Sequence, residues 1–516
     1  MAIKRSTVWF VVGAVLLSAI LHFSSTKIPD MDSFYHLRHA SILKNDLFNT
    51  EYPWLSYSVI REKAADLWYG FHLLLIPFTF GENLLLGIKL AGVFLTSILL
   101  VSYFIAVRRH NFSLPVLWPF LFLFSVPYSL FQFLMARPHM LSLALSVLLF
   151  SFLIKGIWWQ VGLISVALTF FHISQFWLGV GIVLVIFGIE LFQKIFIDKN
   201  LNLSWNKFAA TAGGMLIGAL LRPHPIAGLQ LTYIQIIKLF IIKQHFPLLF
   251  GKELYPISFA ILTNTSFLFL VLWGLAIASA VWAFFRFFEQ VKRLSLENQL
   301  FLIGSGLLSF GFFLMSIFLA RRAYSLWIIF GTLFIGGVYS FLIVKKPYRD
   351  YFSAMILIFF LLMVPYGFYK TGNIIASDAA PPYYLHDAAQ WLSDNSNPGD
   401  IVFDTHWDNF ATLFFWNQKN HYVGGIDPTF LYAYNTNLYW EFHFISKDEF
   451  GDSTCSDFEC SSSGVKNIYS ALKDGFKAKY VLVEKRRNPN FFQAMDIDSR
   501  FEKKFDNSKE MVFLVK

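Results

Sequence analysis

The chain has 516 residues, of which 56% are hydrophobic, 19% are aromatic and only 15% are charged. A soluble domain of this length carries far more charge, so the composition excludes a soluble globular protein and indicates a multi-pass α-helical membrane protein. The formal net charge is +9. In a membrane protein the excess lysine and arginine sets the orientation and contacts lipid headgroups, so we do not interpret this charge as evidence of nucleic-acid binding.

The first apolar run, residues 6–23, follows Lys4 and Arg5. No small-residue cleavage site comes after it, so we interpret it as an uncleaved membrane helix and not as a signal peptide. Further apolar runs have lengths near the roughly 17–25 residues that a bilayer requires, which predicts about eleven spans in total. These runs are residues 83–107, 112–128, 139–154, 159–176, 177–192, 207–221, 257–285, 299–319, 323–344 and 351–369.

The basic residues predict how these spans are oriented. With the N-terminus in the cytoplasm, alternate loops carry lysine and arginine as the positive-inside rule requires, and an odd number of spans places the C-terminus outside. Two further apolar segments, 67–80 and 230–246, are predicted to be re-entrant or interfacial, since a crossing by either would break the alternation. The cytoplasmic residues are Arg108, Arg109, Lys155, Lys194, Lys199, Lys207, Arg286, Lys292, Arg293, Lys345, Lys346 and Arg349.

The extracytoplasmic side then receives many ionisable side chains near helix ends. Such groups are costly there unless they line a polar cavity, so their collection on one face predicts a functional site. The alternative is that each side chain only anchors a helix end at the interface. The set comprises Asp30, Asp32, His36 and Arg38 in the long first loop 24–82, with Arg137, His139, His172, Arg222, His224, Lys252, Glu253, Arg321 and Arg322.

Beyond Lys370 the composition becomes polar, which predicts an extracytoplasmic α/β domain over 373–516 after a transmembrane domain over 1–372. Residues 383–392 are amphipathic and predict a helix, whereas 401–403, 479–484 and 511–515 predict short buried strands. Cys455 and Cys460 form either a small-loop disulfide or two free thiols. The sequence holds no Gly-rich nucleotide motif, so a nucleotide-activated substrate in a Rossmann site is not expected.

Three motifs give the sequence a family resemblance. Asp32-Ser-Phe-Tyr-His-Leu-Arg38 resembles the Asp-x-x-Tyr-His-x-Arg pattern of oligosaccharyltransferase catalytic subunits, which are membrane glycosyltransferases of the GT-C fold. Val402-Phe-Asp-Thr-His-Trp-Asp408 is similar to the Trp-Trp-Asp-Tyr-Gly motif that opens their soluble domain, with His406 in place of the first tryptophan. Arg321-Arg322-Ala-Tyr is similar to an arginine at the outer mouth of a late helix that contacts the carrier phosphate.

The resemblance implies a GT-C-like fold and transfer of a sugar or glycan from a polyprenyl phosphate or pyrophosphate carrier. It places acceptor contacts at Trp407 and Asp408, and it gives Glu253 the position of the family's asparagine-site glutamate. The sequence departs from the family at Ala136-Arg137-Pro-His139, which has no carboxylate where the family has its second acidic motif.

Such a transfer needs groups that stabilise the leaving phosphate and a group that deprotonates the acceptor. Arginine binds phosphate through a planar fork and stays charged, so the phosphate candidates are the five outer arginines together with one histidine. Asp32 is either a general base or a ligand for Mg²⁺ or Mn²⁺, with Asp30 as a second metal candidate. The phosphate candidates are Arg38, Arg137, His139, Arg222, Arg321 and Arg322, and the further catalytic candidates are His36 and Glu253.

The predicted partners are a polyprenyl-linked sugar donor, membrane lipids and an acceptor that is a protein, a polysaccharide or a lipid. Two other functions remain as alternatives. The first is a transporter or channel for an anionic or lipid substrate, although the basic residues gather on one face instead of along a path. The second is a non-catalytic scaffold in a surface-glycan assembly system.

Overall fold

The computed structural model describes residues 5–287, 294–343 and 346–516. Four basic residues of the predicted charge asymmetry, Lys4, Lys292, Arg293 and Lys345, lie outside the described residues. The chain divides into two compact units. The helical unit comprises 5–29, Lys89–Leu221 and Gly251–Ala379, and the mixed unit comprises Asp30–Ile88, Arg222–Phe250 and Ala380–Lys516.

The helices confirm that this is a multi-pass membrane protein. Nine helices among the described residues are long and apolar enough to cross a bilayer. Eight of them coincide with predicted spans, and the ninth, Pro225–Ile242, covers most of the segment predicted to be interfacial. They are Arg5–Phe23, Leu84–Arg109, Pro138–Lys155, Ile173–Phe196, Pro225–Ile242, Phe259–Arg286, Leu296–Phe318, Arg321–Leu342 and Tyr348–Asp378.

Three predicted spans are shorter helices in the structure. In the first, Val126 is extended (φ −143°, ψ 122°) before Pro127, because a proline ring disfavours helical geometry at the preceding residue. The run 112–128 therefore forms two short helices, and the runs 159–176 and 207–221 form helices of 14 and 16 residues. These helices are Leu117–Phe124, Pro127–Phe133, Trp158–Phe171 and Trp205–Leu220.

Small residues allow close helix packing in the helical unit. A Cβ added to Gly214 would lie 2.4 Å from the carbonyl oxygen of Gly162, and one added to Gly218 would lie 2.4 Å from that of Val166. Lipid supplies no hydrophobic driving force between helices, so van der Waals packing between closely spaced backbones stabilises their association instead. The helix Tyr324–Gly337 is buried at every residue, so it forms the centre of this unit.

The mixed unit contains a five-stranded sheet. Its strands are β1 (Ile401–Asp404), β2 (His421–Tyr422), β5 (Tyr480–Glu484), β6 (Phe501–Asp506) and β7 (Glu510–Val515), in the order β2-β1-β5-β7-β6. The β2-β1-β5 part is parallel and the β5-β7-β6 part is antiparallel. The three predicted strands are confirmed as β1, β5 and β7, and the last two are buried along most of their length because both faces of the sheet are covered.

A hairpin of β3 (Ser453–Cys455) and β4 (Val465–Asn467) lies outside that sheet. Cys455 is bonded to Cys460 in a disulfide, which is the first of the two predicted alternatives. The helix predicted over 383–392 runs from His386 to Asn395. The other helices of this unit include Asp32–Leu43, Val59–Lys63, Tyr69–Leu75, Phe410–Trp416, Pro428–Tyr434, Thr436–Ser446, Ile468–Ser470 and Pro489–Ile497.

The first loop belongs to the mixed unit and pairs with its sheet. Trp54 and Ser56 exchange backbone hydrogen bonds with Tyr422 of β2, at 2.7 and 2.9 Å. The indole of Trp54 donates to the carbonyl oxygen of Gln418 at 2.9 Å. The loop thus continues the parallel edge of the sheet, which fixes the position of the helix Asp32–Leu43 that follows the first span.

Candidate functional site

Five of the predicted site residues gather in the helical unit. We call Arg137, His139, Glu253, Arg321 and Arg322, together with Tyr128, the arginine cluster. Arg137 is extended (φ −123°, ψ 155°) before Pro138, which occupies the first position of the helix Pro138–Lys155. The proline fixes the helix start, so Arg137 stands at the mouth of that span and the field of its charge reaches His139.

Arg321 opens the short 3₁₀ turn Arg321–Ala323 that leads into the central helix. Its backbone N–H donates to the carbonyl oxygen of Tyr255 at 2.8 Å, which joins the turn to the loop that carries Glu253. Its guanidinium carbon lies 3.7 Å from the centre of the Tyr128 ring, within cation–π range. Among the described residues, none accepts a hydrogen bond from the buried Nε of Arg321.

Glu253 is the carboxylate of this cluster. Its Oε1 accepts a hydrogen bond from Nη2 of Arg322 at 3.1 Å. Burial raises the pKa of Glu253, but the charges of Arg322 and Arg137 outweigh burial and hold that pKa below its usual value. Glu253 is therefore ionised at neutral pH. Because the two side chains are 41% and 27% exposed, the pair stabilises the fold by at most about 1 kcal/mol.

The remaining predicted residues lie in the mixed unit. Asp30 accepts from the backbone N–H and the hydroxyl of Ser33, at 3.2 and 2.7 Å, and so contacts the first turn of the helix Asp32–Leu43. Asp32 is the first residue of that helix and is half-buried. Arg38 donates through Nε to the carbonyl oxygen of Phe415 at 2.7 Å and lies 5.1 Å from its ring, and burial lowers the pKa of Arg38 to about 10.

His36 belongs to a second group, which we call the histidine–aspartate cluster: His36, His39, Asp66 and His72. They are 3%, 2%, 3% and 0% exposed. His72 joins the others, because its Nδ1 lies 2.6 Å from Oδ2 of Asp66 and its Nε2 lies 2.9 Å from Nδ1 of His36. Arg222 donates to the backbone carbonyl oxygen of Asp66.

The charge states in this cluster follow from burial and from the neighbouring groups. Burial raises the pKa of Asp66, but His72, His39 and Arg222 overcome burial and hold that pKa well below its usual range. Burial, together with the neighbouring His72, lowers the pKa of His39 to about 3 against the opposite effect of Asp66. Asp66 is thus a buried carboxylate, and His39 is a neutral imidazole at physiological pH.

Trp407 and Asp408 lie in the 3₁₀ turn Trp407–Asn409 that follows β1. Asp408 forms an ion pair with Arg487, whose Nη2 is 3.3 Å from both carboxylate oxygens. Arg487 also donates to Glu484 at 3.1 Å. Trp407 packs against the core of the mixed unit as a partly buried side chain.

A buried carboxylate adjoins this ion pair. Asp404, at the end of β1, accepts from Nδ2 of Asn409 at 3.0 Å, and the same amide donates to Glu484 at 2.8 Å. Burial raises the pKa of Asp404 well above its usual value, and the charges of Glu484 and Asp408 add to that effect. Asp408 and Glu484 both contact Arg487. This network of hydrogen bonds and ion pairs therefore stabilises the turn that follows β1.

Sequence reasoning missed several of these groups. Asp66 and His72 complete the histidine–aspartate cluster, and Glu484 and Arg487 complete the network around Asp408. The sequence holds no local signal for the first pair, because Asp66 and His72 lie 30 and 36 positions beyond His36. For Glu484, the signal was a charged residue at the end of a buried strand that runs parallel to β1.

Comparisons with known proteins give a fold. No protein-family model and no curated protein matches the sequence. The crystal structure of ArnT from Cupriavidus metallidurans in the apo state is similar, with a TM-score of 0.55 at 12% identity, over 99% of this chain and 98% of that one. The structure of the same protein bound to undecaprenyl phosphate gives a TM-score of 0.53 at 12% identity over the same shares.

The chain has the ArnT fold. The likeness spans nearly the whole of both chains, so it includes the membrane helices and the C-terminal sheet alike. It confirms the predicted polytopic α-helical fold with a small C-terminal α/β region.

Proposed function

We propose that this protein is a membrane glycosyltransferase that moves a sugar or glycan from a polyprenyl-linked phosphate donor to an acceptor on the extracytoplasmic side. The observation that carries the proposal is the buried Nε of Arg321, which has no acceptor among the described residues and lies among further arginines. A phosphate oxygen is the acceptor that suits it best, since a guanidinium group binds phosphate through two parallel hydrogen bonds.

The fold supports the lipid-linked donor. One of the similar ArnT structures is bound to undecaprenyl phosphate, a polyprenyl phosphate. A polyprenyl chain is apolar and lies in the bilayer, and this chain has nine helices suited to a bilayer among its described residues. The phosphate of such a carrier needs cationic groups near the ends of the spans, which is where Arg137 and Arg321 lie.

The residues take separate roles in the reaction that we propose. The acceptor attacks the anomeric carbon of the sugar, the bond from that carbon to the phosphate oxygen breaks, and the phosphate leaves with the electron pair. Arg321 and Arg137 stabilise the charge that grows on the leaving phosphate. Asp32 takes the acceptor proton as a general base, or it holds Mg²⁺ or Mn²⁺ at the phosphate. We assign Trp407 and Asp408 to the acceptor.

The proposed side of the membrane rests on two observations. The basic residues favour a cytoplasmic N-terminus by the positive-inside rule. The disulfide between Cys455 and Cys460 is typical of an oxidising compartment outside the cytoplasm.

The test is transfer from labelled polyprenyl-linked sugars in membranes that contain the full-length protein. Asp32→Asn should abolish transfer and leave expression and folding unchanged. Asp46→Asn is the matched control in the same first loop. Asp46 is exposed and has no assigned role, and its side chain accepts from the backbone N–H of Phe48 at 3.2 Å, which asparagine can also do, so transfer should stay within about twofold. Titration with EDTA and Mn²⁺ in the same assay distinguishes the base from the metal ligand.

Other outcomes would contradict the proposal. Full transfer by Asp32→Asn would remove that residue from the mechanism. A wild-type protein that binds donors but transfers none of them would favour the scaffold, and movement of the lipid-linked sugar across the membrane without transfer would favour a transporter.

A further inference from the structure

We propose that His39, Asp66 and His72 form a buried binding site for a transition-metal dication of the Zn²⁺ type. Among the residues that the structure describes, these three offer ligand atoms that all lie within 4.8 Å of one another. The site is distinct from the Mg²⁺ or Mn²⁺ considered at Asp32, and it does not depend on the proposed transfer reaction.

The spacing of the ligand atoms suits a tetrahedral ion. Zn²⁺ binds nitrogen and oxygen ligands at about 2.0–2.1 Å, so two ligands of a tetrahedron lie roughly 3.4 Å apart. His39 Nε2 lies 3.6 Å from Oδ2 of Asp66, which is close to that spacing. His72 Nδ1 lies 2.6 Å from the same oxygen, a hydrogen-bond distance that would open by about 0.8 Å when the ion replaces the proton.

His39 gives an independent reason to expect a ligand. Its ring is 2% exposed and stacks on Tyr52, with 4.9 Å between the ring centres and 8° between their planes. In the described part of the chain, neither ring nitrogen of His39 has a hydrogen-bond partner. Buried polar groups nearly always have a partner, and a metal ion near Asp66 would supply one.

The neighbouring groups are those that metal ligands use. A ligating histidine almost always has a hydrogen-bond partner for its second ring nitrogen, and of the two histidines His72 has one, since its Nε2 lies 2.9 Å from Nδ1 of His36. A ligating carboxylate is also held in place, and Oδ1 of Asp66 accepts from the backbone N–H of Trp68 at 2.7 Å. Both ligands are therefore fixed in orientation before an ion arrives.

The donor set selects the class of metal. Two imidazoles and one carboxylate suit Zn²⁺ and its first-row neighbours, whereas Mg²⁺ and Ca²⁺ prefer oxygen ligands only. An ion here would join the helices Asp32–Leu43 and Tyr69–Leu75, which carry His39 and His72. Its binding free energy would stabilise the first loop, because an unfolded chain does not hold a preformed site.

The test is the metal content of the purified full-length protein. We expect about one equivalent of Zn²⁺ after purification without chelator. After stripping with a chelator, added Co²⁺ should give the visible absorption of a low-symmetry site, and added Zn²⁺ should raise the melting temperature. His39→Gln should lower metal content and Co²⁺ absorption at least fivefold.

His443→Gln is the matched control, since His443 is also buried in the mixed unit, at 4% exposed, and lies outside the cluster. It should keep its metal. A folded wild-type protein that carries no transition metal and gives no Co²⁺ absorption would overturn the proposal and leave the cluster as a hydrogen-bonded group. Equal loss of metal in His39→Gln and His443→Gln would also overturn it. The wild-type measurements decide the question even where a variant does not fold.

Discussion

Replacing Arg321 with alanine is expected to weaken donor binding strongly. A guanidinium that binds a phosphate forms two charge-assisted hydrogen bonds, each of which contributes about 1.5–3 kcal/mol to the binding free energy. The lower end applies because Arg321 is only half-buried, so the loss is about 3 kcal/mol, or roughly 100-fold in Kd. Arg321→Lys keeps the charge but loses the planar fork, and it should weaken binding about tenfold.

The assay is equilibrium binding of labelled undecaprenyl phosphate to the full-length protein in detergent. Arg109→Ala is the matched control in the same unit. Its guanidinium carbon lies 4.2 Å from the centre of the Phe152 ring, and its Nε donates to a backbone carbonyl oxygen at 2.9 Å. The control therefore removes an arginine with similar contacts that has no assigned phosphate role, and it should bind as the wild type does.

Two results would refute this reasoning. The first is an Arg321→Ala protein that melts as the wild type does and binds undecaprenyl phosphate within twofold of it. The second is an equal loss of affinity in Arg109→Ala, which would mean that total positive charge, and not this guanidinium, determines binding.

Three further predictions follow from other contacts. An added Cβ at Gly251 would lie 2.3 Å from Oε2 of Glu253, so Gly251→Ala should displace that carboxylate. We expect this variant to reduce transfer as Glu253→Gln does and to leave donor binding within about threefold. Unchanged transfer would contradict a catalytic role for Glu253. Burial raises the pKa of Asp404 in the folded protein above the value of about 4 that it has in the unfolded chain. The contribution of protonated Asp404 to stability is therefore complete below about pH 4 and is lost as the pH rises through the folded pKa. Asp404→Asn should therefore flatten the fall of melting temperature above about pH 4, whereas parallel curves would contradict the assignment. Replacing Cys455 and Cys460 with serine opens a loop of sequence separation 5 and should lower the free energy of unfolding by about 2 kcal/mol, measured by denaturant titration; equal stability would show that the bond does not constrain the unfolded chain.

Hydropathy was sufficient to predict most of the membrane helices, because a span must satisfy its own backbone within the lipid. It was less informative where local chemistry interrupts an apolar run. Pro127 divides the run 112–128, and His172 takes a non-helical backbone conformation (φ −149°, ψ 80°) that ends the helix Trp158–Phe171. An average over many residues does not register one residue that breaks a helix.

The site was predictable where its residues adjoin helix ends. Arg137 precedes a proline that starts a helix, and Arg321 opens the turn before another, so sequence position alone placed both at the mouths of spans. Asp66 and His72 were not predictable, because they reach His36 from 30 and 36 positions further along the chain. No local pattern specifies that pairing, which depends on how the first loop folds in the mixed unit.

We propose that the arginine cluster binds an anion and is not a structural ion-pair network. In such a network each guanidinium would have a carboxylate, since burial of an unsatisfied donor costs about 1–3 kcal/mol. Here Glu253 is bonded to Arg322, whereas Arg321 lies over an aromatic ring and keeps a buried donor without an acceptor among the described residues. The ring holds the guanidinium in one orientation without neutralising it, which lowers the entropic cost of binding a phosphate later. We therefore expect this arrangement to favour a phosphate group that arrives from outside the fold.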